Sequence, residues 1–442
     1  MHRLARLLTL ATVLLLPGLW QPLAAQPKIE RVTTALGIEA WLVREPSIPM
    51  IALEAAWRDA GWAAEPAERG GLARILATML TEGAGELDSQ AYQVRLEELA
   101  VSVSFSADRD EFRGSLRTLT RNREEAFRLF GEALARPRMD SEPLERRRQQ
   151  ALIRLSREQE EPGSIGSRAL FAAAFPDHPY GRNPSGTPES LKALSAADLD
   201  SFRQRHLGRD NLVIGVVGDI DADELRRLLE ATFAGLPAKR VQVSIPDIAP
   251  ALDAKPIVIP RDMPQSQVQF IGAGIGRDDP DFYAAFVMNY VLGGGGFNSR
   301  LMEEVREKRG LAYSVNAYLA PMRHSAIHIG SFGTQNERAA EALDVVRREL
   351  RRMRDEGMSE QELQNAKTYL NGSFPLQLSS NSRIAGMLLR MQIDRLGIDY
   401  VEKRPGHIDA VTLEDIRRVA RRLLDPDNLL VVVVGKPVGI GG

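Results

Sequence analysis

Apolar positions along this chain switch between a helical period and a strand period. In GGLARILATMLTEG, Leu72, Ile75, Leu76, Met79 and Leu80 fall at i, i+3, i+4, i+7 and i+8. That spacing predicts an amphipathic helix over 70–83, with Arg74, Ala77 and Thr78 on the opposite face. In DADELRRLLEATFAG, Asp221 caps a second helix, Leu225, Leu228, Leu229 and Phe233 give its apolar face, and Gly235 ends it. From Tyr290 the chain reads YVLGGGGFNSRLMEEVREKRGLAYSVNAYLAP. Gly293, Gly294, Gly295 and Gly296 form a flexible loop of low steric demand. Asn298 or Ser299 caps a helix whose apolar face is Phe297, Leu301, Met302 and Val305, and Gly310 ends it. Leu311 to Leu319 then alternates like a half-buried strand, as does MRHSAIHIGSF.

An internal repeat organises these elements. SAADLDSFRQRHLGRDNLVIGVVG from Ser195 aligns without a gap to TLEDIRRVARRLLDPDNLLVVVVG from Thr412, an offset of 217 over 24 positions. Each copy predicts a helix capped by Ser195 or Thr412 with an acid three residues on, an Asp-Asn turn, and a buried strand of β-formers. Two copies of one unit imply two homologous α+β domains, each a mainly antiparallel sheet packed with helices. Leu236 to Pro256 holds Pro237, Pro246, Pro250 and Pro256 and no helical run. The expected division is 26–236, a linker at 237–256, and 257–438.

The N-terminus reads as a secretory signal over 1–25. His2, Arg3 and Arg6 precede the apolar run Leu7–Leu16, Pro17-Gly18 breaks it, and Ala24-Ala25 offers a cleavage point. The run is too short to span a bilayer, and no later apolar run reaches about 18 residues. The expectation is a soluble periplasmic protein without a membrane span once the signal is removed. The 442 residues include no Cys, which excludes disulfides and thiolate ligands. The net charge is -2, and losing Arg3 and Arg6 gives -2 - 2 = -4. That balance, with no basic stripe, argues against nucleic acid as a partner.

Few residues offer independent chemistry. Of the six His, His2 leaves with the signal and His178 lies in the turn-rich HPYGRNPSG. His324 and His328, on one strand face, would stand about 13 Å apart, too far to share a metal. GGGGFNSR lacks the P-loop Lys, and no G-x-S-x-G elbow is present.

The helix over 70–83 and the segment from Tyr290 together resemble the pitrilysin/insulinase (inverzincin) metallopeptidase family. HPYGRNPSGTPESLKAL also looks like the family's first domain. In that family the first helix carries H-x-x-E-H, where two His bind zinc and the Glu activates water. Those positions are Arg74, Ala77 and Thr78 in this chain, and the third ligand, roughly 76 residues on, lands near Arg154. Guanidinium groups repel a dication and cannot lose a proton to become ligands, so no metal is expected in this chain. The glycine loop, Arg306 and Tyr313 resemble the family's opposing half-site. There the resemblance implies that Tyr313 donates to the oxyanion and Arg306 holds a substrate carbonyl, with Gly293–Gly296 beside the substrate.

The resemblance therefore implies the zinc-less subunit of a two-chain metalloendopeptidase, similar to mitochondrial processing peptidase subunits. Zinc is expected in a homologous partner bearing H-x-x-E-H, and the substrate is an unfolded peptide. The alternative is an inert scaffold or peptide-binding pseudopeptidase, a role that zinc-less relatives take in a mitochondrial respiratory complex. A weaker third possibility is peptide hydrolysis by this chain alone.

Overall fold

The computed structural model describes residues 28–441. The proposed signal over 1–25 lies outside them. Six strands, β1 (Ile29–Thr33), β2 (Glu39–Arg44), β3 (Met50–Arg58), β4 (Ser102–Ala107), β5 (Glu111–Leu119) and β6 (Leu212–Gly218), form the first sheet in the order β1-β2-β6-β3-β5-β4. The second sheet contains β7 (Ile257–Pro260), β8 (Gln265–Ala273), β9 (Ala312–Pro321), β10 (Ala326–Gln335) and β11 (Leu430–Gly435), in the order β7-β11-β8-β10-β9. Apart from β1, the sheets match strand for strand. Each has one parallel pair, β2 with β6 and β7 with β11, and is otherwise antiparallel.

The repeat seen in sequence is reproduced in its capping geometry. Ser195 Oγ accepts from Asp198 N at 3.2 Å, and Asp198 Oδ2 accepts from Ser195 N at 2.9 Å. Thr412 and Asp415 make the same reciprocal pair at 3.1 and 2.9 Å. Each pair satisfies helix-end N–H groups that would otherwise lack partners. The helices Ala196–His206 and Leu413–Leu423 then lead into β6 and β11, which are buried along their whole length. Strands covered on both faces have no polar side, hence the unbroken LVIGVVG and LVVVVG.

That double cover comes from an exchange of helices between the halves. The Asn381–Ile393 helix, from the second half, lies across β6 and β3 of the first sheet. The Pro162–Ala174 helix, from the first half, lies across β11 and β8 of the second. Gly215 lets the first contact close, because a Cβ there would come within 2.9 Å of Leu388 Cβ and 3.1 Å of Leu389 N. Gln392 Nε2 adds a buried hydrogen bond to Ile214 O at 2.8 Å. Trp41, Val43, Ala52 and Val217 join Leu388 and Met391 in one apolar cluster across the boundary. The two homologous units are thus clamped by mutual burial of apolar surface.

Several expectations need correction. Residues 237–256 lack helix and strand, but Ile245, Ile248 and Leu252 pack on the core, and Ile248 N donates to His324 O at 2.8 Å. The linker is thus docked on the core along part of its length. His324 sits in the turn before β10, with Nδ1 3.0 Å from Asp247, whereas His328 is buried on β10 against Asn289 Oδ1 at 3.0 Å. They do not share one strand face. Arg300, which the sequence pattern reads as solvated surface charge, is instead 7% exposed and holds Glu362 through two bonds of 2.7 and 2.8 Å. His178 is structural: its ring accepts from Tyr180 N and faces Pro246 O.

Candidate functional site

The sequence places two sets of residues on the molecule, and they occupy separate sites. The first set lies on the Leu72–Met79 helix and the facing Ser141–Glu160 helix. Gly71 starts the first helix at φ 90° and offers no side-chain cap. Glu65, from upstream, supplies one by accepting from Gly71 N at 2.9 Å and Ala73 N at 2.6 Å. Burial pushes the Glu65 carboxyl up to about 8, against the pull of those bonds and of Arg74 and Arg182. Sequence reasoning missed this residue, although an acid just upstream of Gly-Gly at a helix start is a usable cue.

Arg74, Thr78, Arg147 and Arg154 line a small cavity of about 30 Å³. Arg74 Nη1 donates to Ser185 Oγ at 3.0 Å, and Ser185 Oγ donates on to Glu158 Oε1 at 3.1 Å. Burial lowers the Arg74 guanidinium, Glu158 pulls it back up, and Arg154 lowers it further. Thr78 gives its hydroxyl proton to Ile75 O at 2.8 Å. This donor set does not fit Zn²⁺, which takes deprotonated N, S or O ligands in a tetrahedron. Among the described residues, no group of three or more His, Cys, Asp or Glu side chains is placed to hold a metal. Ala77 departs from the predicted polar face: it is 3% exposed and belongs to the core. Helical periodicity gave the right side for Arg74 and Thr78 but could not show how far the neighbouring elements wrap.

The second set lines one open cleft of about 390 Å³: Gly293, Gly294, Gly296, Arg306 and Tyr313, with Phe297. The glycines are not a floppy loop. Residues Tyr290–Gly294 continue the preceding helix as a wide π-type turn, and a Cβ on Gly293 would come within 2.9 Å of the Ala317 backbone N. Gly293 is therefore required for close approach, while Gly296 is required for its φ of 58°. Ser299 caps the next turn by accepting from Met302 N at 3.4 Å, while its hydroxyl donates back to Gly296 O at 2.8 Å, and Met302–Glu307 is again π-type. Such turns concentrate at functional sites. Leu301, Met302 and Val305 are buried as expected, but Phe297 is 68% exposed.

Tyr313 is turned outward by a β-bulge. Between Phe332 and Thr334 of β10, the pairing jumps from Val315 to Ala312, so Tyr313 and Ser314 together oppose Gly333. Strict alternation back from buried Val315 would point Tyr313 into the core. The bulge instead leaves it 84% exposed. Arg306 lies between two rings, its Cζ 4.7 Å from the Phe297 centroid and 4.9 Å from that of Tyr313. Among the described residues it pairs with one carboxylate, Glu307 at 3.4 Å. β9 is the edge of its sheet and pairs only with β10, so its outer backbone groups are open to another strand. The cleft thus offers a phenol, a guanidinium and a free strand edge. It shares no lining residue with the Arg74 cavity. A larger chamber of about 1460 Å³ lies between the halves, with Arg74, Arg113, Arg277 and Arg323 among its walls.

Two clamped homologous α+β halves, one with a guanidinium-lined cavity between the Leu72–Met79 and Ser141–Glu160 helices, are the architecture of a peptidase class. The chain belongs to peptidase family M16, the insulinase family, whose insulinase model matches residues 52–187 and whose model described as the peptidase M16 inactive domain matches 193–370. It is 27% identical to the non-peptidase homolog YmxG of Helicobacter pylori over 391 residues, 88% of this chain and 89% of that protein. It is 24% identical to the mitochondrial-processing peptidase subunit beta of Blastocladiella emersonii, covering 86% of this chain and 83% of that one. The crystal structure of a peptidase M16 inactive domain from Pseudomonas fluorescens superposes with a TM-score of 0.87 at 29% identity, over 94% of this chain and 99% of that one.

Proposed function

We propose that this chain is the non-zinc subunit of a two-chain periplasmic endopeptidase. One observation carries the reading: Arg74 and Arg154 line a cavity at the positions the resemblance assigns to metal ligands, while a half-buried Arg306 and an exposed Tyr313 stay together beside a free strand edge. A homologous partner with H-x-x-E-H would hold the zinc and its water. From this chain, an unfolded peptide would add as a strand to β9. Arg306 would then hold a peptide carbonyl, and the Tyr313 phenol would donate to the oxygen on which charge develops. Such a donor accelerates reaction only if it binds the transition state better than the ground state.

The test is to mix the purified chain with a candidate H-x-x-E-H partner and follow a quenched fluorescent peptide. Cleavage by the mixture, in excess of either chain alone, supports the proposal, and no gain on mixing refutes it. A second reading, a scaffold or peptide-binding pseudopeptidase, is favoured by the stacking of Arg306 between Phe297 and Tyr313. That stack forms an exposed aromatic patch suited to holding a partner. Unchanged turnover in both Tyr313→Phe and Arg306→Ala would leave only this second reading.

A further inference from the structure

A second large pocket, of about 710 Å³, opens beside the interdomain chamber and shares Arg277, Arg390, Asp394 and Leu396 with it. Its floor is aromatic: Phe282, Tyr283, Phe286, Phe374 and Tyr400. Its charge is one-sided. Arg277, Arg383, Arg390 and Arg404 line it against a single carboxylate, Asp394, which already accepts from Arg390 at 2.9 Å. Among the described residues, Arg277, Arg383 and Arg404 form no ion pair; their contacts are neutral. Arg277 Nη2 lies 3.3 Å from the Tyr400 hydroxyl and 3.4 Å from that of Tyr283, with its Cζ 4.1 Å from the Phe282 ring centroid. Arg383 Nη1 donates to Ser379 Oγ at 2.9 Å. Arg404 is 6% exposed, donates to Leu370 O at 3.2 Å, and has its Cζ 4.3 Å from the Phe374 ring centroid.

Aromatic faces and carbonyl oxygens stabilise a guanidinium but do not neutralise it. Arg404 is buried, Arg277 half-buried and Arg383 exposed, and a bound anion at the pocket would supply the counter-ion that all three lack. The complementary ligand therefore has an apolar body and one negative head. Two features favour a peptide end over an alkyl acid. The lining carries Asp394 and Gln377 as well as arginines, which suits backbone amides and gives nothing to a hydrocarbon chain. The pocket also opens onto the chamber between the halves, within reach of an extended chain.

We propose that this pocket binds the C-terminal residue of a peptide, with its apolar side chain on the rings and its α-carboxylate between Arg277 and Arg383. The proposal extends the peptide-binding reading above but is tested on this chain alone. A failed reconstitution with a partner leaves it standing, and its own failure leaves that reconstitution untouched. The probes are N-acetyl-Ala-Ala-Phe, the same peptide as its C-terminal amide, and dodecanoate, each titrated calorimetrically into the full chain. The acid should bind about tenfold more tightly than the amide, since charge-assisted hydrogen bonds exceed neutral ones by about that factor. Arg277→Gln and the exposed Arg383→Gln should each erase most of this difference while leaving the amide unchanged. Leu376→Glu, at the exposed rim, should weaken the acid selectively even if Arg277→Gln fails to fold. Equal binding of acid and amide would overturn the proposal. So would acid selectivity that survives both arginine variants, or tighter binding of dodecanoate than of the peptide.

Discussion

Replacing Gly215 by alanine tests whether the exchanged helix holds the halves together. A methyl at Gly215 would press on the Ala385 carbonyl oxygen and come within 2.9 Å of Leu388 Cβ and 3.1 Å of Leu389 N. Two of these three are backbone atoms of the Asn381–Ile393 helix, so no rotamer change relieves the contact. Overpacking of this kind costs about 1–3 kcal/mol. Alanine recovers at most about 1 kcal/mol of strand preference over glycine. The expected net loss is about 2 kcal/mol in urea unfolding, with faster amide exchange in 381–393 and in β6. The control is Gly166→Ala on the reciprocal helix. There a Cβ would meet only side-chain atoms, Gln269 Oε1 at 3.2 Å and Val434 Cγ2 at 3.4 Å. Alanine in a helix interior gains about 1 kcal/mol over glycine, so that variant should stay within about 1 kcal/mol of the parent. Equal stability of Gly215→Ala and the parent, or a larger loss in Gly166→Ala, would refute the close-contact argument.

Ser195→Ala and Thr412→Ala each remove one matched capping pair, and each should cost about 1 kcal/mol by urea midpoint. Unequal losses would break the equivalence of the two copies. Burial holds His328 down at about 4, and burial with Arg205 and Arg240 holds His206 at about 4, against about 6.5 in an unfolded chain. Below about 6.5 the unfolded chain takes up these protons first, so stability is full above that pH and falls as pH drops toward 4, by about 3 kcal/mol for each His. His328→Gln should flatten that slope in chemical denaturation at stepped pH, and an unchanged slope would contradict the assignment. Calorimetric titration of the chain with Zn²⁺ should show no saturable site, because Arg74 and Arg154 repel the ion. Stoichiometric uptake would show that those side chains move aside.

The repeat, its caps and the buried strands were legible because each is local: a Ser or Thr, an acid three residues later, then an apolar run. The side of the Leu72–Met79 helix that carries Arg74 and Thr78 was legible for the same reason. What escaped depends on distant chain. Ala77 is buried by neighbouring elements. Arg300 finds Glu362 far along the sequence. The exchange of helices leaves only small residues, such as Gly215, as its trace. The bulge at Tyr313 was also hidden, since alternation alone would have sent that ring inward. The aromatic pocket gathers Arg277, Phe374 and Tyr400 from separate segments that no single window joins.

In the proposed function, Tyr313 and Arg306 act on a peptide held partly by another chain. The most direct test separates kcat from KM in the reconstituted pair, with the affinity between the chains measured alongside. For Tyr313→Phe, kcat should fall by about 10²–10³, with little change in KM or in pairing. A kcat equal to that of the parent, at full complex formation, would contradict that role.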